Sequence, residues 1–467
     1  MRVSGSGRRR RTSGRAAEEA GKAGTSRRRR VLLWGAGVAS AVVLGVAGVG
    51  AWVYQDLDDS IRSADVDDKI GGDRPENLSP GSKNFLVVGS DSRDGANAKY
   101  GKDLTTMQSD TLMVLHVPAN RKWAAVVSFP RDSWVEIPAC ERGDGSTSSP
   151  HLAKINEAFA IGGSSGEVSG AAACSIKTVE AHTGLRIDHF MSIDFSGFKG
   201  MVDALDGIEV CPEQDIKSDK ARLDLQTGCQ TVDGETALGY VRVRYGVGDG
   251  SDIGRIGRQQ EFMNALVEKA QDKLTSPKSL YGFLKSATKS LTTDPDMAGI
   301  QPLYALANEL KGIPSDRLAF LTVPNYPREA DVPSDLANVV WQYPQAADLF
   351  TALAQDKEMT KAQLAAAVKD PVYASSVRVQ VLNGTGEQGR AAVVAEQLRK
   401  AGLTVVGTGN APQTVDDTTV TYPQGLEKQS RVLASRLPDT RATQDTDATA
   451  GLLTLVVGPD LDPDDIG

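Results

Sequence analysis

The sequence predicts an α/β protein: a sheet covered by helices, a smaller α/β unit toward the C-terminus, and a single transmembrane helix near the N-terminus. Three observations predict it. Short apolar runs ending in turn residues alternate with helix-period segments across residues 84–290. The same alternation returns over 377–457. Finally, the 23 residues from Val31 to Val53 carry no charge and are mostly apolar, and about 20 such residues cross a bilayer. A chain of 467 residues has room for about three domains.

The charge balance orients the span. Residues 1–30 hold eleven Lys/Arg against Glu18 and Glu19, a net +9, while residues 54–467 hold 41 basic and 58 acidic groups, a net −17. Arg27 to Arg30 abut the apolar run, and Asp56, Asp58 and Asp59 follow it. An excess of Lys/Arg marks the cytoplasmic side, so residues 1–30 read as a disordered basic cytoplasmic tail and the bulk as extracytoplasmic. The run exceeds the h-region of a signal peptide, and no small-residue cleavage site follows it. An acidic main body argues against nucleic acid as a partner.

Residues 54–81 are polar and acidic and read as a stalk. NFLVVGS (84–90) is a buried strand opening into a loop. TLMVLHV (111–117) and WAAVVSF (123–129) are two more strands, joined by a turn at 118–121. A Gly- and Ser-rich loop covers 139–151. Residues 152–162 and 171–183 read as helices broken at Gly162-Gly163. HFMSIDF (189–195) is a strand, 196–205 a helix, and Gly207 to Val210 a short strand. YVRVRY (240–245) alternates with period two and reads as a strand; 252–274 has a helical period. A domain over 82–355 continues with helices and the strand LAFLTV (318–323). A helical linker at 356–375 leads to a unit at 376–460, with strands at 377–382, 403–406 and 452–457 and a helix at 389–401.

Cys140, Cys174, Cys211 and Cys229 all follow the apolar run, on the side where disulfides persist. Four cysteines allow three pairings. Cys211–Cys229, which closes a local loop, with Cys140–Cys174 is the favoured one. The four histidines are scattered without metal-ligand spacing.

Several clusters carry charge to loops at strand ends, where α/β sheets place ligands: Gly89-Ser90-Asp91-Ser92-Arg93, Ser109-Asp110-Thr111 and Pro130-Arg131-Asp132. Each alone is weak, because an Asp in a turn is usually a local cap. Arg242 and Arg244 are stronger. On a strand they share one face about 6.6 Å apart, and two adjacent guanidinium groups suit a phosphate, whose oxygens accept their paired N–H groups. The bland alternative is a solvated edge strand. Asp252, Arg255 and Gln259 share one helix face, and Phe262, Leu266 and Ala270 continue it. That stripe runs from charge to hydrocarbon, which suits an amphiphile with a phosphate head; an exposed first helical turn followed by core is the alternative. Carboxylates beside phosphate oxygens also make a Mg²⁺ site.

The segments GSDSR, SDT, SFPRD, KINEAF, IDHFMSIDF, ALDGIEVCP, DGETALGYVRVR and DIGRIGRQQ resemble the LytR-CpsA-Psr family of bacterial cell-wall proteins over 82–275. Residues 376–460 resemble the small C-terminal domain often attached to it. The resemblance implies a central mixed sheet sandwiched by helices, a membrane anchor, and a phosphotransferase that moves a glycopolymer from a polyprenyl-pyrophosphate carrier to peptidoglycan with Mg²⁺ or Mn²⁺. It implies that Asp91 and Asp110 hold the metal. Arg131, Arg242, Arg244 and Arg255 would bind the pyrophosphate, and Asp252 and Gln259 would orient those groups. Arg93, Arg258, Phe262 and Leu266 complete the substrate site, and Asp91 is the candidate general base. The family commonly has Arg before its Ser-Asp-Thr; here Gln108 stands there, so one phosphate contact is missing or comes from Arg93.

Gly384-Thr-Gly386-Glu-Gln-Gly389 fits a dinucleotide fingerprint. No acidic residue closes the next strand near 403–407, so a tight turn is the expectation and no nucleotide is expected. Two rivals to a transferase stand: a polyprenyl-pyrophosphate hydrolase, and a non-catalytic wall-binding or regulatory membrane protein.

Overall fold

A computed structural model describes residues 51–90, 109–142, 144–219, 221–243, 252–273, 276–369, 371–438 and 440–466. The chain divides into two compact units, Met1–Asp59 and Ser60–Gly467. Of the first, residues 51–58 are helical; the rest of the expected span lies outside the described residues. No helix among the described residues is long and apolar enough to cross a membrane.

The larger unit is built on a seven-stranded mixed sheet. In chain order its strands are β1 (Arg62–Ser63), β2 (Lys83–Ser90), β3 (Ser109–Val117), β4 (Ala124–Phe129), β7 (His189–Asp194), β12 (Leu291–Thr293) and β13 (Leu318–Thr322). Their spatial order is β1-β12-β7-β2-β3-β4-β13. β2 is parallel to β7 and antiparallel to β3, and β4 is parallel to β13. Two short strands follow β4 in the chain, β5 (Trp134–Ile137) and β6 (His151–Lys154).

The period-two pattern of β2 sorts its side chains onto two faces. Leu86 and Val88 join a core with Ala172, Ile176 and Val179 of helix α2 (Val168–Thr183). Phe85 and Val87 pack on the other side with Leu303, Leu306 and Leu310 of α7 (Ile300–Lys311). A third core joins α3 (Phe195–Ala204), α4 (Gly234–Arg242) and α5 (Asp252–Lys273) over the strand β8 (Ile208–Val210).

The C-terminal unit has a five-stranded sheet containing β16 (Arg378–Asn383), β17 (Thr404–Asn410), β18 (Thr419–Tyr422), β19 (Ala442–Gln444) and β20 (Leu453–Val457), in the order β17-β16-β20-β18-β19. Gly386 and Gly389 take positive φ before helix α10 (Arg390–Lys400), a tight turn that only residues tolerant of that region adopt easily. Both favoured disulfides are present, Cys140–Cys174 and Cys211–Cys229.

Three expectations need correction. The described part of the expected strand at 240–245 is not a strand: Tyr240 to Arg242 are the last turn of α4, whose N-cap Asp233 accepts from the Thr236 amide at 2.9 Å. Burial of Ala237, Leu238 and Tyr240 at helical spacing outweighs a short alternating pattern. The strand face proposed for Arg242 and Arg244 is therefore absent, and Arg244 lies outside the described residues. Second, the helix expected at 152–162 is two elements, β6 and α1 (Glu157–Gly162), because β6 pairs antiparallel with β5. Third, residues 60–81 are more than a stalk. β1 pairs with β12, Val66 and Ile70 are buried, and Arg74 bonds Glu180 at 2.6 Å.

Candidate functional site

The C-terminal ends of β2, β7 and β4 and the start of β3 meet at one end of the sheet, because Ser90 pairs with both Ser109 and Asp194, and Leu112 with Phe129. This is where α/β sheets gather ligand-binding loops. It brings Asp110, Arg131 and Asp194 together from distant parts of the chain. α5 is fixed across the same end by Gln260, whose amide donates to the Leu321 carbonyl at 3.1 Å and to the Thr322 hydroxyl at 3.0 Å.

Asp110 is the hub. Its Oδ1 accepts from Arg131 Nη1 at 3.1 Å, and its Oδ2 accepts from Arg242 Nε at 3.3 Å. The Arg242 guanidinium also lies 4.4 Å above the Phe195 ring, a cation–π contact that fixes its direction. Behind Arg131, the buried Asp132 receives Lys154 Nζ at 2.7 Å and lies 3.6 Å from Arg131 Nε. Gln259 donates to the Val241 carbonyl at 3.0 Å and reaches the Thr111 hydroxyl at 3.4 Å. Asp194 caps α3 through the Gly197 amide at 2.9 Å. Arg255 is only 3% exposed, in the first turn of α5.

These groups rim a cavity of about 260 Å³. Asp110, Asp194, Arg242, Arg255 and Gln259 line it, and Met113, Phe195, Phe198, Leu238, Phe262 and Leu266 supply hydrocarbon walls. With Arg131 beside Asp110, three guanidinium groups face two carboxylates, so the described rim is net positive. Such an arrangement suits a polyanionic head group joined to an apolar tail.

The structure thus brings together Asp110, Arg131, Arg242, Arg255, Gln259, Phe262 and Leu266. Arg258 goes elsewhere: it donates to the Val243 carbonyl and lines a separate cavity with Tyr240, Glu261 and Glu268. Burial pushes the Tyr240 phenol up from its ordinary range. Asp91, Arg93, Gln108 and the side chain of Asp252 lie outside the described residues. Sequence reasoning missed Gln260, Lys154 and Phe195. Gln260 and Lys154 stand inside DIGRIGRQQ and KINEAF, which were the available signal.

A family model for the LytR-CpsA-Psr family matches residues 53–363, more than half of the chain. The chain belongs to the LytR-CpsA-Psr family. Residues 376–461 match a second family described as LytR cell envelope-related transcriptional attenuator. The chain is 34% identical over 281 residues to a "Probable cell wall biosynthesis protein LcpB" of Corynebacterium glutamicum, covering 58% of this chain and 60% of that protein. It is 28% identical over 446 residues to the cell wall biosynthesis protein LcpA of the same organism, covering 88% and 81%. It is 28% identical over 294 residues to the polyisoprenyl-teichoic acid–peptidoglycan teichoic acid transferase TagT of Bacillus subtilis, covering 61% and 83%. The match to the first of these relatives spans less than two thirds of that protein.

Proposed function

We propose that this LytR-CpsA-Psr chain is a phosphotransferase that moves a glycopolymer from a polyprenyl-pyrophosphate carrier to a peptidoglycan hydroxyl. The observation that carries it is the cavity that changes from the Asp110–Arg131–Arg242–Arg255 rim to apolar walls. The relatives named as wall-polymer transferases support the same reading.

The pyrophosphate sits at the rim and the lipid along the Phe262–Leu266 wall. An acceptor hydroxyl forms a P–O bond at the phosphorus next to the sugar. The bond from that phosphorus to the bridging oxygen breaks, and polyprenyl phosphate leaves with the oxygen. The hydroxyl proton passes to a base, for which Asp91 is the candidate. Arg131, Arg242 and Arg255 neutralise charge on the phosphate oxygens, and positioning with charge neutralisation supplies most of the acceleration in phosphoryl transfer. Asp132 and Lys154 hold Arg131, and Gln259 and Gln260 hold α5 against the sheet.

Asp110 would keep acceptor capacity for a divalent cation. Each Asp110 oxygen accepts one arginine bond, while a carboxylate has about four lone-pair sites. Asp110, with Asp91, would hold Mg²⁺ or Mn²⁺, and the bound cation would supply further neutralisation of the phosphates. Residues 31–53 would anchor the chain in the cytoplasmic membrane, with the catalytic domain outside.

The test is release of polyprenyl phosphate by the full chain in detergent, with and without a peptidoglycan acceptor. Acceptor-dependent release with a glycan–peptidoglycan product supports transfer. Release at one rate regardless of acceptor marks a hydrolase, and no release marks a binding protein.

A further inference from the structure

A further cavity, of about 240 Å³, lies where the C-terminal unit packs on the catalytic domain. The two parts are firmly joined there. The Ala374 amide donates to the Tyr326 hydroxyl at 3.0 Å, the Ser375 amide to Asp331 Oδ1 at 3.0 Å, and Lys400 Nζ bonds Glu136 at 3.2 Å. The cavity differs in kind from the lipid-shaped one. Its lining mixes aromatic and polar side chains: Trp134, Trp341 and Tyr343 from the catalytic domain stand with Arg328 from that domain and Gln397 and Arg436 from the C-terminal unit. Arg328 lies over the Trp134 ring at 5.0 Å, and Arg436 over Tyr343 at 4.2 Å.

A wall that carries several charged and amide groups is a poor lining for a prenyl chain. The lining cations are Arg328, Arg399, Lys400 and Arg436; Arg328 pairs with Asp335, Arg399 with Glu396 and Lys400 with Glu136, and Asp331 adds a fourth carboxylate, so the charges around the cavity balance, which disfavours a polyanion. A sugar ring meets both demands. Its C–H faces lie flat on aromatic rings, and its rim of hydroxyls both donates and accepts hydrogen bonds. The volume equals about eight waters at about 30 Å³ each, enough for one ring and part of a second. Among the described residues the buried Trp134 indole N–H has no acceptor, and a sugar hydroxyl would satisfy it after a side-chain shift.

The position adds a reason. Trp134 follows Arg131 by three residues, so their Cα atoms are at most about 10 Å apart. The intervening Ser133 is pinned by the Trp341 indole at 3.0 Å. One short segment therefore carries a phosphate-binding arginine at one end and a wall of this cavity at the other.

We infer that this cavity is a saccharide subsite, built jointly by the two domains, that grips a sugar ring of the glycan acceptor near the pyrophosphate site. It gives the C-terminal unit a share in acceptor binding. The inference rests on the transferase reading for the word acceptor, but not for the site itself.

The test is calorimetric titration of the full chain in detergent with a β-1,4-linked N-acetylated disaccharide, and with isoprenyl pyrophosphate in parallel. Trp134→Leu and Gln397→Ala are the variants; the second removes a half-exposed amide and leaves the core intact. The expected result is saturable disaccharide binding that each variant weakens on the order of tenfold, with the unfolding midpoint of Gln397→Ala unchanged. No saturable binding, or binding that both variants leave unchanged, overturns the subsite. Disaccharide binding that depends on Gln397 without any transfer to the acceptor keeps the subsite and removes the transferase reading.

Discussion

Replacing Leu266 with Asp separates lipid recognition from head-group recognition. Leu266 is half-buried on the apolar wall, one turn beyond Phe262 and away from the Asp110 rim. The cavity of about 260 Å³ equals roughly nine water volumes, which corresponds to about ten carbons, or two isoprene units. Burial of each methylene contributes about 0.8 kcal/mol, so ten carbons give a gross figure of roughly 8 kcal/mol. Chain ordering and the open mouth reduce this to about 2 kcal/mol per isoprene unit, or roughly 30-fold in affinity. Affinity should therefore climb from inorganic pyrophosphate to geranyl pyrophosphate and level off for farnesyl pyrophosphate. A carboxylate at 266 stays partly hydrated yet faces the hydrocarbon, so geranyl binding should fall by about 1.5–3 kcal/mol. Inorganic pyrophosphate should bind the variant as it binds the parent. Arg242→Ala supplies the contrast: loss of one charge-assisted contact of about 1.5–3 kcal/mol should weaken every chain length about equally. Calorimetric titration of the full chain with the three ligands decides it. If Leu266→Asp weakens inorganic pyrophosphate as much as geranyl pyrophosphate while the protein stays folded, the wall is not the lipid path.

Asp110→Ala should lower metal-dependent turnover by at least about a hundredfold without loss of folding, since Asp110 is a half-buried carboxylate at the sheet end; full activity in the variant would remove it from the metal set. Mass spectrometry after thiol blocking should find Cys211 linked to Cys229, and replacing both with Ser should lower stability by about 3 kcal/mol for a loop of 18 residues' separation; free thiols at both positions in the native protein would refute the staple. Burial, opposed only partly by the Glu136 carbonyl bond, holds His182 below its ordinary 6.5. The unfolded chain then takes up the proton first as pH falls, so this part of stability is complete above about 6.5 and is lost on acidification toward the folded value. Thermal midpoints at pH 7.5 and 5 should converge in His182→Gln, and an unchanged gap would reject the assignment. Protease added to intact protoplasts should digest residues beyond 54 and spare the basic tail; protection of 376–460 would reverse the orientation.

Much of the catalytic domain was legible in order of sequence. β2, β3, β4 and β7 are apolar runs bounded by turn residues, and their ends carry Asp110, Arg131 and Asp194. α5 was legible because Asp252, Arg255, Gln259 and Phe262 repeat at helical spacing over a long segment, and 22 residues average out local exceptions. α4 was not. Val241-Arg242-Val243 alternates like a strand over too few residues to decide, and the deciding groups were the Asp233 cap and the core that Ala237 and Tyr240 enter. β6 likewise became a strand only through its partner β5.

The sequence by itself singled out Asp110, Arg131, Arg242, Arg255, Gln259, Phe262 and Leu266, which the fold brings together, because phosphate and hydrocarbon each demand particular residue types. Local spacing also determined the helix that carries half of them. Only the tertiary structure decided that Arg131 and Arg242, 111 residues apart in the chain, share the one carboxylate of Asp110. It alone turned Arg258 away, since a helix face is assigned by what packs on it. It alone joined residues near 134 and 341 to residues near 397 and 436 around a further cavity. Contacts between distant segments depend on how sheets and helices close on one another, and that closure is a property of the whole buried core rather than of any local stretch.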